Sequence, residues 1–560
     1  MSLDWDVMSP VPPQPDTDGK AYQNITSEPR QLNNGNRQTF SGPIVMRTKN
    51  KDSFYNLFDA YVEVDFSVVK SDDTAMGLND ICTLINAGWH LFDRATLSIN
   101  NEIVEDVQLP GKVALWNALT KYTPTEAEEV ADNEFIYLDE YRQRQGGGGP
   151  DPTDYSKVYK AVGWAQPTDF LAQTPIAPTA ANIVAGNPVI YGTAEAMLKF
   201  NAGYMKRFIR TRESRTCRLN LPLRSIFGLA DLQKPIRGVA IQVTLYKSTD
   251  YNHILHSQYN TTAAVQTSFK TLLKQCTMWI SSVMPSKETE IEVESQLVDG
   301  ASTTYQFVSR TCYRSEVMEY ATTRIEYDVG ALTSRPLLAI IGFMSEGQIG
   351  IQYDSYSPHR SPNTVGAGFA VGAPVNAATD LYPNMIPLLT EEYGLTTDIG
   401  GRIQNHCNNG GMTSHLNNIR RLSVRINDFV FPGEPYRMSF DDESTLRAYN
   451  DYLAVWGKGG EQAKCLPYSV WKEMPLFCFR FHSPDAFYND RANVMRIEAD
   501  VASSARALNA ALDAPDFGVN HRGIYGNPAS GPGNFQLYCV VYYERNIEVS
   551  ADGGYMRYAT

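Results

Sequence analysis

The strongest constraint on the fold of this chain is a pattern that it carries twice. A proline-bearing apolar stretch leads into a long run rich in Val, Ile and aromatics, and an abrupt polar turn follows. The first copy is Leu221-Pro222-Leu223-Arg224-Ser225-Ile226-Phe227-Gly228, running into Val239-Ala240-Ile241-Gln242-Val243-Thr244-Leu245-Tyr246. The second is Phe431-Pro432-Gly433-Glu434-Pro435-Tyr436, with Asn493 to Glu498 and Phe535 to Tyr543 as its closing strands. Two β domains of similar size that end alike point to a building block rather than a catalyst. The 560 residues exceed one ordinary core, so two domains with insertions are expected.

Residues 1–40 hold five prolines and little apolar periodicity, which reads as an extended arm, disordered until it meets a partner. Its acids (Asp4, Asp6, Asp16, Asp18, Glu28) outnumber its bases (Lys20, Arg30, Arg37), so it makes a poor nucleic-acid tail. Ordered structure is expected from Phe40. Asp59 to Val69 alternates apolar and polar residues with period two, as a strand with one wet face does. Ala95 to Ile99 and Glu102 to Val104 flank Asn100-Asn101, a pair that tolerates the positive φ of a tight hairpin. Val113 to Tyr122 has helical spacing, and Thr125 is the expected N-cap of a second helix with Glu126, Glu128 and Glu129 in its first turn.

Val239 to Tyr246 reads as the strand closing the first domain, and Met284-Pro285-Ser286 as the start of the bridge to the second. Arg335 to Met344 is a continuous apolar run, the mark of a strand buried on both sides. Ile419 to Asn427 alternates, with Leu422, Val424 and Ile426 on one face. Gly-, Ala- and Pro-rich insertions interrupt the domains at about 146–196 and 353–410. The fold class is therefore all-β: two tandem eight-stranded jelly rolls, a double jelly roll, with long loop insertions and a few short helices. The boundaries read as an arm over 1–40, a first roll over 41–275 and a second over 276–560.

The net charge of −13 argues against broad DNA binding, which needs Lys and Arg to neutralise phosphates. The run Lys206-Arg207-Phe208-Ile209-Arg210-Thr211-Arg212 is an example of a local basic stretch, read as a solvated strand or loop. No apolar run reaches the ~18 residues of a membrane helix, and the N-terminus shows no secretory signal. The eight cysteines are scattered without metal-ligand spacing, and buried free thiols in a reducing compartment are expected.

Motifs that carry chemistry are weak throughout. Gly146 to Gly149 lacks the Gly-Lys-Ser/Thr continuation of a phosphate loop. His253 with His256, and His406 with Cys407, lack a second ligand pair. Asp441-Asp442 and Glu391-Glu392 are adjacent, so on a strand they point to opposite faces. His482-Ser483-Pro484-Asp485 reads as a turn. The sequence thus nominates no catalytic, cofactor-binding or metal-ligating residue, and no cofactor.

Three stretches are similar to the double jelly-roll major capsid proteins of double-stranded DNA viruses, particularly the Polinton-like, adintovirus and virophage group. Asn201 to Arg207 leading into Leu221 to Gly228 resembles the family's approach to the last strands of its first roll. Trp279 to Pro285 resembles its crossover between rolls. Val424 to Pro432 with Tyr449-Asn450-Asp451-Tyr452-Leu453 resembles a strand and the following helix of the second roll. The resemblance spans roughly residues 40–550. It implies a non-enzymatic homotrimer, a pseudo-hexagonal capsomer that tiles an icosahedral shell. Its implied partners are neighbouring capsomers, penton proteins and minor or cement proteins, without sequence-specific nucleic-acid binding. The implied location is the virion, assembled inside the host cell.

Two other readings compete. A carbohydrate-binding or carbohydrate-active tandem β-sandwich needs a groove lined by Trp and Tyr with opposed acids, whereas Trp89, Trp116 and Trp279 sit in core-like patterns. A minor vertex or fibre protein of the same particle generally needs only one roll.

Overall fold

The computed structural model describes residues 20–26, 42–48, 54–76, 82–137, 141–143, 199–236, 239–257, 269–283, 302–318, 322–332, 334–345, 419–438, 444–456, 466–468, 471, 475–481, 493–501, 535–550 and 556–558. Among the described residues sixteen strands form the frame of the two rolls, and a further short strand, Met556–Tyr558, pairs with the end of Phe535–Ser550 in the second. The first roll uses β1 (Lys20–Thr26), β2 (Ile44–Arg47), β3 (Phe54–Lys70), β4 (Phe92–Ile99), β5 (Glu102–Gln108), β6 (Cys217–Pro222), β7 (Ile241–Lys247) and β8 (Phe269–Val283). The second uses β9 (Ser302–Arg314), β10 (Arg324–Leu332), β11 (Pro336–Ser345), β12 (Ile419–Ile426), β13 (Phe429–Arg437), β14 (Phe477–Arg480), β15 (Asn493–Val501) and β16 (Phe535–Ser550).

The first roll's sheets run β1-β8-β3-β6 and β2-β7-β4-β5, and the second's run β9-β16-β11-β14 and β10-β15-β12-β13. Each order in the second roll is the first with eight added to every strand number. The chain therefore makes one jelly-roll permutation twice, with antiparallel pairing throughout.

Period-two burial builds each core. Val62, Val64, Phe66 and Val68 of β3 share a cluster with Leu97 and Ile99 of β4 and with Ile241, Val243 and Leu245 of β7, all at most 1 % exposed. On the other face of β3, Asp65 takes a bidentate pair from Arg218 of β6, at 2.8 Å for each contact. The apolar run in β11 behaves as expected, with Leu338 to Ile341 and Phe343 buried. Leu422, Val424 and Ile426 of β12 are fully buried together.

The duplication extends to one turn. Asn100, at φ 51°, and Asn427, at φ 54°, each follow the strand before the hairpin. Asn100 donates its backbone N–H to Ala240 O and accepts the Ala240 N–H on Oδ1. Asn427 makes the same two bonds with Val494. In both rolls this clamp fixes the start of the seventh strand against the fourth. Asn suits it because its short side chain tolerates the left-handed region and reaches the neighbouring backbone.

Several expectations need correction. Lys20–Thr26, placed within the arm, is a strand paired along its length with β8. An edge strand is held by main-chain hydrogen bonds and so needs no apolar period to announce it. The expected division at 275/276 falls inside β8, which pairs with β3 through Val283. β8, not Val239 to Tyr246, is the last strand of the first roll, and Trp279 to Val283 belongs to it rather than to a crossover. The two proline lead-ins are not equivalent either. Pro222 ends a sixth strand, while Pro432 lies within a fifth; only Val239 to Tyr246 and Asn493 to Glu498 correspond.

The first helix, α1 (Pro110–Lys121), forms where expected. The second, α2 (Pro124–Glu134), is capped by Thr123 rather than Thr125. Thr123 Oγ1 accepts the Glu126 N–H while the Glu126 carboxylate accepts the Thr123 N–H. Lys206 to Arg212 is not a strand or loop but falls mostly in α3 (Ala202–Thr211). Its arginines serve the fold: Arg207 is fully buried and donates to Tyr137 O at 2.8 Å, and Arg210 donates to Asp132 O at 2.7 Å. A short ladder of Tyr141–Gln143 with Lys199–Asn201 brackets the first insertion. Both insertions themselves lie outside the described residues.

Candidate functional site, the seam between the two rolls

A buried polar cluster lies where the rolls meet. β5 of the first roll packs beside β9 of the second. The segment between β6 and β7, Arg224 to Asp231, is held from both sides. Glu105 of β5 is fully buried and receives three hydrogen bonds: Gly228 N–H at 2.9 Å, Leu229 N–H at 2.8 Å and the Ser309 hydroxyl of β9 at 2.8 Å. Burial pushes its carboxyl above the usual range, against the pull of those donors and of nearby Arg310.

Arg310 of β9, 1 % exposed, takes the carbonyl ends of the same segment. It donates to Arg224 O at 2.5 Å, Phe227 O at 3.1 Å and Ile226 O at 3.2 Å, and meets Asp231 at 3.4 Å. Planar guanidinium with several fixed donors suits such a cluster of carbonyls. Gly228 is required by space: a Cβ there would stand 1.9 Å from the Val308 carbonyl oxygen. Three further bonds stitch the edges. Gln108 N–H donates to Thr311 Oγ1, Arg545 to Val104 O, and Tyr305 Oη to Pro235 O.

Helix α1 forms the apolar half of the seam. The indole of Trp116, buried completely, lies on Gly342 of β11, where a Cβ would come within 2.7 Å of the ring. This explains why β11 is buried on both faces: its back is covered by the other roll. Besides α4 (Tyr251–Ile254) in the first roll, the second roll has α5 (Leu446–Leu453), which reaches α1: Tyr452 Oη donates to Leu119 O at 2.6 Å. Just beyond, Trp456 Nε1 donates to Thr120 Oγ1 at 3.0 Å and stacks edge-on against Tyr542.

Lys112 of α1 is 3 % exposed, with its ammonium 5.6 Å from the centre of the Tyr538 ring. Burial lowers its pKa to about 7, and the neighbouring Cys312 thiol is pushed up to about 12 by the same cause. Between pH 7 and 10.5 the unfolded lysine binds a proton that the folded one does not, so its penalty on stability is relieved as pH rises. Lys112→Met is expected to flatten that slope; urea unfolding from pH 6 to 10 checks it, and an unchanged slope contradicts it.

The stretches weighed for chemistry do not converge here. His90 is buried with Nδ1 3.1 Å from Ala87 O. His253 and His256 lie on Tyr251–Ile254 and on Leu255–Ser257. Gly146 to Gly149, Glu391-Glu392, His406, Cys407, Asp441-Asp442 and His482 to Asp485 lie outside the described residues. Among the described residues no three His, Cys, Asp or Glu gather as a metal would need, and no helix is long and apolar enough to cross a membrane. Cys82, Cys217, Cys276, Cys312, Cys478 and Cys539 are buried free thiols, as expected. Trp89, Trp116 and Trp471 are core residues, and Trp279 stacks on Tyr61 within the β3–β8 pair. These four indoles do not supply the groove that the carbohydrate reading needs.

Glu105, Arg310, Gly228 and Trp116 were not singled out by the sequence as a group. The available signal was charge inside apolar strands: Val104-Glu105-Asp106-Val107 and Ser309-Arg310-Thr311-Cys312. The Asn clamp also left one, Leu97-Ser98-Ile99-Asn100-Asn101 against Val424-Arg425-Ile426-Asn427-Asp428.

No protein-family model matches this chain, and no curated protein does. Among solved structures it is similar to a chain in the cryo-EM structure of the Sputnik virophage, with 10% identity and a TM-score of 0.45, over 97% of this chain and 88% of that one. It is similar to the Faustovirus major capsid protein, with 10% identity and a TM-score of 0.42, over 94% and 90%. It is also similar to the mavirus major capsid protein, with 10% identity and a TM-score of 0.41, over 96% and 90%.

Proposed function

We propose that this chain is a structural subunit of a viral shell, the major capsid protein of a double-stranded DNA virus. Three copies form a pseudo-hexagonal capsomer, and capsomers tile an icosahedral capsid. The observation that carries the reading is the repeated roll with its buried seam. One eight-stranded permutation occurs twice, and the copies are locked side by side through Glu105, Arg310 and α1. Such a unit is a rigid two-lobed block, and blocks of this kind suit walls. The motif resemblance in the sequence supports the same role, which is also that of the Faustovirus and mavirus major capsid proteins.

The partners in this reading are other copies of the chain, neighbouring capsomers, penton proteins and minor or cement proteins, and its place is the virion. It has no catalytic step. A ring of three through unlike faces closes without leaving a free contact, and its outer walls remain for the lattice. Electron microscopy of the purified protein tests the proposal. Six-sided blocks that array hexagonally on concentration are expected; isolated two-lobed particles at every concentration contradict it.

A further inference from the structure

Glu134 is the last residue of α2 and is 2 % exposed. Its Oε1 accepts the Tyr122 hydroxyl at 3.3 Å, and its Oε2 has no hydrogen-bond partner. A negative charge in this place is penalised three times. It is out of water, half of it is unsatisfied, and it stands at the negative end of a helix. A protonated carboxyl escapes the first and third of these penalties.

Two titratable or charged groups face it. Tyr122, the residue that caps α1, supplies the hydrogen bond. Arg224, in the turn after β6, lies 4.7 Å from the centre of the Phe58 ring and acts on Glu134 through its charge alone. The other neighbours turn theirs away. His90 of the turn Gly88–Leu91 lies against Gly111 of α1, and Arg218 is held by Asp65 on the opposite face of β6. The remaining acids of α2, Glu126, Glu128, Glu129 and Asp132, are exposed. Burial outweighs Tyr122 and Arg224 and raises the Glu134 carboxyl to about 7.

The helix it ends is lightly held. Ala127, Ala131 and Glu134 are the only residues that α2 buries, and two alanines bring little apolar area. The chain beyond is fixed firmly: Ala87 N–H donates to Phe135 O, and Asn86 exchanges two bonds of 2.8 Å with the Tyr137 backbone. Glu134 therefore reaches water when α2 lifts, not when the following segment moves.

We propose that Glu134 is a proton-operated latch, holding α2 down on the first roll when protonated and lifting it when ionised. The latch belongs to the single chain and stands apart from the capsomer reading. Freed, the carboxyl ionises at its usual 4.5, so between pH 4.5 and 7 the closed form keeps a proton that the open form has lost. The hold is complete below that window, weakens by up to about tenfold per unit of pH across it, and falls no further above pH 7.

The test uses the full chain and Glu134→Gln, a neutral side chain of the same shape. In a difference infrared titration, a carboxylic C=O band of the parent persists at about pH 6, vanishes with a midpoint near 7, and is missing from the variant. Hydrogen exchange of the α2 amides reads the lifting. At about pH 8 the parent exchanges tenfold or more faster than the variant, and at about pH 4.5 the two match. Lys112 titrates in a nearby range but is common to both chains, so the comparison cancels it. Equal exchange at pH 8 overturns the latch, and so does the lack of a Glu134-dependent band. Where Glu134→Gln disturbs the fold, Tyr122→Phe decides. It removes the one hydrogen bond to the carboxyl and moves the midpoint of the band upward; an unmoved midpoint overturns the assignment.

Discussion

Arg310→Ala is expected to cost about 3–5 kcal/mol of stability, the range for removing one partner from a buried charged network. The substitution leaves the carbonyls of Arg224, Ile226 and Phe227 without their donor inside a dry seam. Each buried unsatisfied group costs on the order of 1–3 kcal/mol, and partial relaxation absorbs some of the sum. Arg310→Lys does not rescue it, because one ammonium cannot span three carbonyls that a planar guanidinium reaches together. Urea unfolding followed by tryptophan fluorescence reads the loss. Because the rolls share this lock, the single transition of the parent is expected to split as the rolls come apart before they melt. A loss under about 1 kcal/mol would place the hold between the rolls elsewhere, in α1 and its aromatic contacts.

Gly228→Ala is the second large effect, expected at about 3 kcal/mol or more, the upper end of overpacking. Its backbone angles, φ −71° and ψ −36°, suit any residue, so conformational freedom is not the reason for glycine here. The reason is the Val308 carbonyl, which an added Cβ would meet at 1.9 Å, with Val308 C at 2.5 Å and Ser309 N at 3.0 Å. All three are backbone atoms of β9, and none can swing aside as a side chain would. The segment must back away, which stretches the Gly228 and Leu229 bonds to Glu105 at the same time. Gly42→Ala, with nothing within 4 Å of its added Cβ, is the control and is expected to be neutral. Thermal melting of the two variants side by side decides it; equal melting temperatures would contradict the close approach of the rolls.

The local pieces of this fold were legible because they obey short-range rules. The Asn100-Asn101 hairpin, the alternation in β3 and β12, the apolar run of β11 and the spacing of α1 all state their conformation within a dozen residues. What escaped depends on distant partners. β1 has no amphipathic signature, since its hold on β8 is through the main chain. The basic run at Lys206 looked like a wet surface because Arg207 and Arg210 find their acceptors on Tyr137 and Asp132, some seventy residues earlier. The seam was the least visible part. Glu105 and Ser309 are 204 positions apart, and nothing near either residue says that a second roll will dehydrate both. The repeated pattern was read correctly as duplication, yet through the wrong pair of prolines. The true internal repeat is the Asn clamp and the seventh strand that it fixes.

The mass of the purified protein in solution, by light scattering on a sizing column, tests the central claim most directly. The account predicts three times the 62.5 kDa of one chain, persisting on dilution through the micromolar range. A mass of one chain at every concentration would contradict it.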